Sequence, residues 1–312
     1  MMNNITNLSS LLILEGFGLS EEATFPAFLF ATFGYMVIVF CNLLLIFTII
    51  LNRSLHQPMY LLLINLPIND LMGSSALFPQ VLKEFLLNNR TIEFPVCVTQ
   101  AFVMHIYGTG AVFILAAMAY DRYIAICFPL RYGSIMTISH LIRIIMLMWL
   151  FNLLMIGVLF YLLLRLPRCR SVIAHTYCDN PSLLKLVCAD TTVNNIYGLL
   201  TLAFTQPFIV GLILYSYLRI LMACFRSKST DAKTKALQTC ATHLIVFFLI
   251  ECLGLFTIIS YRLPYLSPQL RKFIAVSTLI FPPMLNPIIY GINTKEVKTK
   301  FIKMVKKKLR LV

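Results

Sequence analysis

The sequence predicts an all-α membrane protein, a bundle of seven transmembrane helices followed by a short amphipathic helix. Two proportions lead to this class: 59% of the 312 residues are hydrophobic and only 12% are charged. A soluble domain normally has about 25% charged residues. The third observation is a series of long uncharged runs, since about 20 apolar residues in a helix cross the roughly 30 Å of hydrocarbon in a bilayer. The same composition excludes a disordered chain and a coiled coil.

Seven apolar runs follow one another along the chain, and each is predicted to form one helix. They cover residues 25–51, 59–82, 98–126, 141–164, 192–218, 237–260 and 272–293. Continuous runs of this length are typical of helices, whereas the strands of a membrane barrel alternate over about ten residues. The chain therefore divides into an N-terminal tail (1–24), a seven-helix domain (25–293) and a basic amphipathic C-terminal tail (294–312).

Lysine and arginine predict the orientation of the bundle. If the C-terminus is cytoplasmic, the inner segments hold 17 of the 26 basic residues, and the outer segments are nearly neutral. Basic residues accumulate on the cytoplasmic side of membrane proteins. We therefore expect a multi-pass plasma-membrane protein with an extracellular N-terminus and a cytoplasmic C-terminus. The net charge of +14 is then a topology signal and not a sign of nucleic-acid binding.

Glycosylation sequons and cysteines fit this orientation. Asn4, Asn7 and Asn89 each begin an Asn-X-Ser/Thr sequon in a segment that is expected outside. Four of the nine cysteines are also assigned to outer segments, namely Cys97, Cys169, Cys178 and Cys188. An even number in an oxidising compartment predicts two disulfides, and the spacing alone leaves three pairings open.

An aspartate lies in the middle of the second predicted helix. Asp70 is costly there unless it is paired, so we expect polar neighbours, Asn42 from the first helix and Asn286 from the seventh. Two interpretations stay open. The three residues form either a hydrogen-bonded packing cluster or a cation or proton site that moves when the protein switches.

Two further motifs lie at the inner ends of the third and seventh helices. Asp121 and Arg122 are adjacent, and such a pair is either a lock that opens when a partner inserts or a simple interfacial pair. In the seventh helix Pro287 permits a kink, because proline cannot donate a backbone hydrogen bond. We expect Asn286 to satisfy the carbonyl freed by that proline and Tyr290 to face the inner bundle.

Together these motifs resemble those of rhodopsin-like G-protein-coupled receptors, and the local sequence is similar to the odorant receptors. The matching segments are Leu55–Tyr60, Met118–Cys127, Ser216–Tyr217, Lys235–Leu244 and Pro283–Tyr290. The resemblance spans about residues 25–295 and includes a long second outer loop with three cysteines. It implies a receptor of sensory cilia and not an enzyme, with no cofactor or metal. It also implies the disulfides Cys97–Cys178 and Cys169–Cys188.

The resemblance further implies how the signal is passed on. A heterotrimeric G protein of the olfactory, stimulatory type would bind at the inner end and raise cAMP. The residues assigned to coupling or switching are Asp121, Arg122, Tyr123, Tyr217, His243, Asn286, Pro287 and Tyr290. The remaining expected partners are a small-molecule odorant and membrane lipids, since a basic amphipathic tail suits the anionic inner leaflet.

The sixth helix departs from the family pattern, because Glu251 stands where odorant receptors usually have tyrosine. Glu251 and Arg262 are 11 residues apart and therefore share a helix face, about 16 Å from each other. His105 and Arg262 match polar pocket positions of class I (fish-like) odorant receptors, which suggests a water-soluble, anionic ligand. The predicted ligand-binding residues, on helices three, five and six, are His105, Thr109, Thr201, Thr205, Glu251, Ile258 and Arg262.

Several alternatives stay open at this point. Arg262 could extend to the outer surface, Glu251 could be protonated and structural, and His105 could be an ordinary interior histidine. Two other classes also compete, a non-olfactory rhodopsin-like receptor for a lipid, amine or peptide, and a small-solute transporter. The segments Leu55–Tyr60 and Lys235–Leu244 favour the odorant class, and we find no internal repeat of the kind that is common in transporters.

Overall fold

The computed structural model describes residues 10–226, 230–260, 263, 265–293 and 295–309. Within these residues, seven helices are long and apolar enough to cross a membrane. They are α1 (Glu21–Leu51), α2 (Pro58–Leu63 and Asn65–Leu87), α3 (Phe94–Cys127), α4 (Ile138–Leu164), α5 (Thr192–Arg226), α6 (Thr230–Ser260) and α7 (Pro268–Asn293). They are followed by α8 (Lys295–Leu309), and two short helices, Tyr132–Ile135 and Asn180–Leu184, lie in the loops. The predicted seven-helix membrane fold is confirmed.

All seven helices are longer than the apolar runs from which they were predicted. The first residue of α1 is Glu21 and not residue 25, α5 continues to Arg226 and not to 218, and α6 starts at Thr230 and not at 237. The apolar runs measure the part of a helix that fits the hydrocarbon. Backbone hydrogen bonding continues past that boundary into the headgroup region, where charged side chains are tolerated.

Helix α3 is the central helix of the bundle, packed against α2, α4, α5 and α6. Small residues on α3 allow this close packing. At Gly110, an added Cβ would lie 2.7 Å from Asn69 Oδ1 of α2 and 3.1 Å from Asn152 Nδ2 of α4. Both asparagines donate to the α3 backbone, Asn69 to the Tyr107 carbonyl at 2.9 Å and Asn152 to the Ile106 carbonyl at 3.0 Å. These two amides hold α3 from opposite neighbours.

A side chain of α1 completes the backbone hydrogen bonding of α7 near Pro287. Pro287 has no N–H to donate to the carbonyl four residues earlier, that of Pro283. Asn42 Nδ2 donates to this carbonyl at 2.9 Å. We predicted that Asn286 would do so, and this was wrong, because Asn286 Nδ2 donates to Asp70 Oδ2 at 2.9 Å instead. The side chain of Asn286 thus joins α7 to α2, while the freed carbonyl joins α7 to α1.

The N-terminal segment forms a strand that the sequence did not predict. Strand β1 (Leu11–Leu14) lies between β2 (Thr91–Glu93), to which it is antiparallel, and β3 (Val172–Ile173), to which it is parallel. Leu12 and Leu14 point inward and are 0% and 1% exposed. Part of the segment expected to be a tail is therefore built into the fold. We call this end of the bundle the loop end and the other, where α8 begins, the tail end.

The residues after β1 are fastened to α2 and α7. Glu84 Oε1 accepts a hydrogen bond from the Phe17 N–H at 2.9 Å, and the Glu84 side chain is 5% exposed. Lys272 Nζ donates to the Gly16 carbonyl at 2.9 Å and lies 3.4 Å from Glu15 Oε2. Residues 10–18, which we call the N-terminal strap, thus connect the α2–α3 loop, the α4–α5 loop and α7.

Candidate ligand-binding and coupling sites

Two disulfides fix the α4–α5 loop over the loop end. They join Cys97 to Cys178, with Cα atoms 5.4 Å apart, and Cys169 to Cys188, with Cα atoms 5.7 Å apart. These are the two pairs that the family resemblance implied. One turn below Cys97, Gln100 Oε1 accepts from the Cys178 N–H at 2.8 Å, while its amide nitrogen donates to a carbonyl of α2 at 2.8 Å. The middle of the loop is thereby attached to both α3 and α2.

The middle of this loop turns its side chains into the bundle. His175, Thr176 and Tyr177 are 2%, 0% and 5% exposed, respectively. The rings of His175 and Tyr177 pack edge to face with centroids 4.5 Å apart. Burial lowers the pKa of His175 below its usual range, because desolvation disfavours the imidazolium form. The loop therefore closes this end of the bundle with a neutral, tightly packed segment.

The predicted pocket residues of α3 face α4. His105 Nδ1 hydrogen-bonds to the Ala101 carbonyl at 2.8 Å, and its ring packs edge to face on Phe160 of α4. Thr109 Oγ1 donates to Asn152 Oδ1 of α4 at 2.5 Å. We predicted that both side chains would point into a cavity between α3, α5 and α6. Their direction differs because α4 supplies an aromatic ring and an amide at the same depth.

The carboxylate of Glu251 lies inside the bundle and has a partner that the sequence analysis missed. Glu251 is 6% exposed. With its amide oriented as the donor, the nitrogen of Gln206 on α5 lies 3.1 Å from both carboxylate oxygens of Glu251 on α6. The available signal was a polar amide beside Pro207 within an otherwise apolar run. Polar side chains within the membrane tend to pair between helices.

The other predicted ligand residues are only partly described by the structure. Thr201 and Thr205 are half-buried, and each donates to a carbonyl one turn earlier in α5, at 2.6 and 2.7 Å. Ile258 is half-buried on α6. Arg262 lies outside the described residues, so the face that it was predicted to share with Glu251 is described only as far as Ser260.

The sequons are likewise described only in part. Asn4 and Asn7 lie outside the described residues. Asn89 is half-buried between α2 and β2, and its Oδ1 accepts from Thr91 N at 2.9 Å and Thr91 Oγ1 at 2.7 Å. The asparagine and the threonine of this sequon are therefore in direct contact with each other.

The polar cluster predicted around Asp70 is present in part. Asp70 is 0% exposed and is bonded by Asn286, whereas Asn42 is bonded to the α7 backbone and not to Asp70. The second carboxylate oxygen of Asp70 and the hydroxyl of Tyr290 have no hydrogen-bond partner among the residues described. Tyr290 is 3% exposed and packs in the bundle near the tail end, as expected from its position.

An acid–base pair lies at the tail end of α3. Arg122 donates to Asp121 Oδ2 through two nitrogens, at 2.6 and 3.1 Å, and Asp121 is 0% exposed. The other oxygen of Asp121 accepts from the Tyr132 hydroxyl at 2.8 Å. Burial is the larger cause that raises the pKa of Tyr132 above its usual range, and the negative charge of the neighbouring Asp121 adds to it. Tyr132, which lies in the short helix after α3, was not among the residues predicted from the sequence.

Two further contacts connect the helices at the tail end. The Tyr217 hydroxyl of α5 hydrogen-bonds to His243 Nδ1 of α6, and both residues are buried. The ring of Tyr123, one residue after Arg122, lies 5.8 Å from the ring of Tyr215 on α5. Of the eight predicted coupling residues, Tyr217 and His243 thus bond to each other, and Tyr123 contacts α5 two residues before Tyr217. Pro287 is buried in α7.

A seven-helix bundle with a disulfide-anchored loop at one end and this acid–base pair at the other defines a rhodopsin-like receptor. The crystal structure of squid rhodopsin matches with a TM-score of 0.67 over 93% of this chain and 87% of that chain. At 17% identity this likeness concerns the fold alone. A family model described as olfactory receptor matches residues 31–308. The chain belongs to the olfactory receptor family.

Individual relatives agree with this assignment. Human olfactory receptor 52B2 is 38% identical over 85% of this chain and 82% of its own length. Human olfactory receptor 52R1 is 35% identical over 96% of both chains. Mouse olfactory receptor 4E2 is 33% identical over 90% of this chain and 91% of its own length. The protein is therefore a multi-pass membrane receptor and not an enzyme, and the family implies a small-molecule ligand and a G protein as its partners in general.

Proposed function

We propose that this receptor binds a small, water-soluble, anionic odorant within the bundle and activates an olfactory-type stimulatory G protein, which raises cAMP. The observation that carries the coupling half is the bond between Arg122 and buried Asp121. An insertion of a partner segment at this end would separate the pair, because Arg122 is the more exposed member, at 21% against 0% for Asp121. The Tyr132 hydroxyl donates to the other oxygen of Asp121 and so helps to keep Asp121 in its position beside Arg122.

The tail-end contacts between α5 and α6 support the same proposal. Tyr217 and His243 form a hydrogen bond that must break, or change its geometry, if α6 moves away from α5. Ligand binding at the loop end and G-protein binding at the tail end would then be reciprocally coupled, since each favours the same open state. The proposed coupling set remains Asp121, Arg122, Tyr123, Tyr217, His243, Asn286, Pro287 and Tyr290.

For the ligand, we propose that Arg262 binds the anionic group, that His105 joins it once its ring turns from Phe160 towards the ligand, and that Glu251 lies at the floor of the pocket. The Gln206–Glu251 contact supports this floor, because a carboxylate that is bonded to a neutral amide can accept a further donor from a ligand. Thr109, Thr201, Thr205 and Ile258 would line the walls. A class I preference for acids follows from the same two positions, His105 and Arg262.

The orientation and the cellular location are part of the proposal. We propose that the loop end is extracellular and the tail end cytoplasmic, in the plasma membrane of sensory cilia. Cytoplasmic placement of the tail end puts the basic residues of α8 at the anionic inner leaflet. The sequons at Asn4, Asn7 and Asn89 would then be available for glycosylation.

The test is a cAMP assay of cells that express the receptor, screened with short acids, bile salts, steroids, amines and neutral analogues. Responses to acids are expected, and Arg262→Ala should abolish them while responses to neutral ligands persist. Equal responses to acids and neutral analogues in Arg262→Ala would rule out the anion site.

The same assay tests the coupling. Arg122→Ala should abolish ligand-dependent cAMP at normal surface expression. Arg131→Ala, an exposed basic residue at the same end, is the matched control and should leave the response intact. A full response in Arg122→Ala would refute the role of the acid–base pair.

A further inference from the structure

The first turn of α8 is built into the tail end of the bundle. Val297 is 2% exposed and belongs to the same hydrophobic core as Leu55 and Tyr60. Glu296, the residue before it, is exposed, and its Oε2 atom accepts a hydrogen bond from the hydroxyl of buried Tyr60 on α2. The apolar side chain thus fixes the start of the helix, and the carboxylate beside it is held by a phenol of the bundle.

Tyr60 is also a neighbour of the acid–base pair on α3. The segment of α2 that contains it, Pro58–Leu63, packs against α3. The positive charge of Arg122 acts on the Tyr60 hydroxyl, which is the same hydroxyl that donates to Glu296. Because electrostatic interactions weaken with distance, Arg122 and Glu296 belong to one neighbourhood of the tail end.

A separation of Arg122 from Asp121 would leave a cation that is only 21% exposed without its counter-charge. An unpaired charge away from water is costly, so the open state needs a second acceptor for Arg122. Of the side chains that the structure describes at the tail end, Asp121 and Glu296 are the acidic ones. The charge of Arg122 also acts on Tyr217 and His243, but a bond to a carboxylate is about twice as strong as a bond to a neutral group. Glu296 is therefore the stronger acceptor.

We propose that Glu296 is a positioning residue of the coupling switch, which receives Arg122 when the Asp121–Arg122 pair separates and so stabilises the open state. Tyr60 opposes this step, because its hydroxyl occupies one oxygen of Glu296 in the closed arrangement. The inference rests on the proposed coupling role of Arg122. It adds two residues, Tyr60 and Glu296, that the proposed coupling set does not contain, and it gives the start of α8 a part in G-protein binding.

The test is the binding of a purified stimulatory G-protein heterotrimer, without bound nucleotide, to the full-length receptor in nanodiscs of neutral phosphatidylcholine. The dissociation constant Kd reports on the open state, because the G protein binds that state and shifts the receptor towards it. No odorant is needed for this measurement, and the neutral lipid offers the basic residues of α8 no anionic surface. A change in Kd therefore measures the balance between the two arrangements of Arg122.

Two substitutions at the same contact are expected to act in opposite directions. Glu296→Gln removes the charge but keeps an oxygen that can accept from Tyr60, so the closed contact remains and the attraction to Arg122 is lost. Its Kd should rise about threefold to tenfold. Tyr60→Phe removes the donor and leaves the carboxylate free for Arg122, so its Kd should fall about threefold to fivefold. A contact that only anchored α8 would be weakened by Tyr60→Phe, and its loss would not strengthen G-protein binding.

Two further variants complete the set. Glu296→Asp keeps the charge, so its Kd should return to within about twofold of that of the unchanged receptor. Lys298→Gln is the matched control, since Lys298 is exposed on the same helix and its loss also changes the charge by one unit. Its Kd should likewise stay within about twofold. Thermal unfolding verifies that each variant is folded, and if Tyr60→Phe does not fold, the comparison of Glu296→Gln with Glu296→Asp decides the question.

Three results would overturn the proposal. One is a Kd that rises equally in Glu296→Gln and Tyr60→Phe, which would make the contact a plain anchor of α8. Another is an equal change in Lys298→Gln, which would indicate a diffuse effect of surface charge. The third is an unchanged Kd in Glu296→Gln. If Arg122→Gln then still weakens G-protein binding, the proposed coupling stands without Glu296, whereas unchanged binding in Arg122→Gln refutes both.

Discussion

Single side chains in this bundle complete backbone hydrogen bonds that prolines interrupt. Asn42 of α1 supplies the donor that Pro287 cannot give to the Pro283 carbonyl. The Tyr107 hydroxyl of α3 lies 3.5 Å from the Thr278 carbonyl, which Pro282 leaves free in the same way. A buried carbonyl without a donor costs about 1–3 kcal/mol, so each of these contacts matters for stability.

Replacing Asn42 should therefore destabilise the receptor through α7. We expect Asn42→Leu to lower the free energy of unfolding by about 1–3 kcal/mol, measured by thermal or denaturant unfolding of purified receptor. Asn52→Leu, at the half-exposed end of α1, is the control and should have a smaller effect. In a double-mutant cycle, Pro287→Ala restores an N–H and should recover part of the loss. Strict additivity of the two changes would contradict the role of Asn42.

A buried histidine in the α4–α5 loop predicts a pH dependence. The pKa of His175 is lowered from 6.5 by burial, so below pH 6.5 the unfolded chain binds a proton that the folded loop does not. The contribution of neutral His175 to the free energy of unfolding is therefore complete above pH 6.5. It is lost as the pH falls from 6.5 towards the lower pKa of the folded state. The unfolding midpoint should fall over this range, and less so in His175→Gln. An identical pH profile in His175→Gln would refute this cause, and exposed His56→Gln is the control.

The packing of α3 against its neighbours depends on one glycine. An added methyl group at Gly110 would lie 2.7 Å from Asn69 Oδ1 and 3.1 Å from Asn152 Nδ2. Because both amides hold the α3 backbone, neither can move away without breaking its hydrogen bond. The distances from α3 to α2 and from α3 to α4 are therefore set at this residue.

Gly110→Ala should be much more damaging than Gly108→Ala. At Gly110 the overpacking costs about 1–3 kcal/mol, with a further loss if an amide bond breaks. At Gly108 an added Cβ meets nothing within 4 Å, and alanine is the better helix former. Surface expression and the unfolding temperature of the two variants provide the comparison. Equal stability of the two proteins would show that α2 and α4 can adjust.

The helices could be predicted from the sequence, whereas the strands and the side-chain pairs could not. Hydrophobic length determines a membrane helix, because all its backbone hydrogen bonds are internal. Strand β3 has only two residues, Val172 and Ile173, and its partner in β1 is about 160 residues away, so no local pattern indicates the pairing. The polar residues Asn42, Asp70 and Asn286 were found from the sequence. Which atoms bond depends on how α1, α2 and α7 pack around Pro287, and no local sequence pattern indicates that packing.

For the candidate site, too, the residues could be predicted from the sequence, whereas their hydrogen-bond partners could not. Residue type and depth identified Glu251, His105 and Arg122, because ionisable groups are rare in membrane helices. Gln206, the partner of Glu251, and Tyr132, the partner of Asp121, were missed, since neutral polar side chains do not stand out in the sequence as ionisable ones do. The direction of His105 towards α4 depends on the rotation of α3, which is fixed by contacts along its whole length.

Across the whole molecule, the N-terminal strap connects parts of the chain that the bundle alone leaves separate. It pairs with the α2–α3 loop and the α4–α5 loop and is bonded to α2 through Glu84 and to α7 through Lys272. Glu84 also lies 3.5 Å from Arg90 Nε, next to β2. This carboxylate therefore holds the strap and the α2–α3 loop together.

Removal of this carboxylate should loosen the strap. In Glu84→Ala, backbone amides of residues 10–18 are expected to exchange with deuterium at least about tenfold faster, because an opening that costs 1.4 kcal/mol less is ten times more frequent. Hydrogen-exchange mass spectrometry of the N-terminal peptide measures this. Glu93→Ala, which removes an exposed carboxylate from β2 itself, is the control. Unchanged exchange in Glu84→Ala would mean that β-pairing alone holds the strap.

The parallel pairing of β1 with β3 has a consequence for biosynthesis. Ile13 pairs with Val172, so the ribosome must add about 160 residues before the partner of β1 exists. At 5–20 residues per second this takes roughly 8 to 30 s. During that time Leu12 and Leu14 remain uncovered, and four hydrophobic helices must enter the bilayer before the sheet can close. The earliest strand to be translated must therefore wait for the α4–α5 loop before it reaches its final position, and a bulky fusion placed just before it would interfere with assembly at that step.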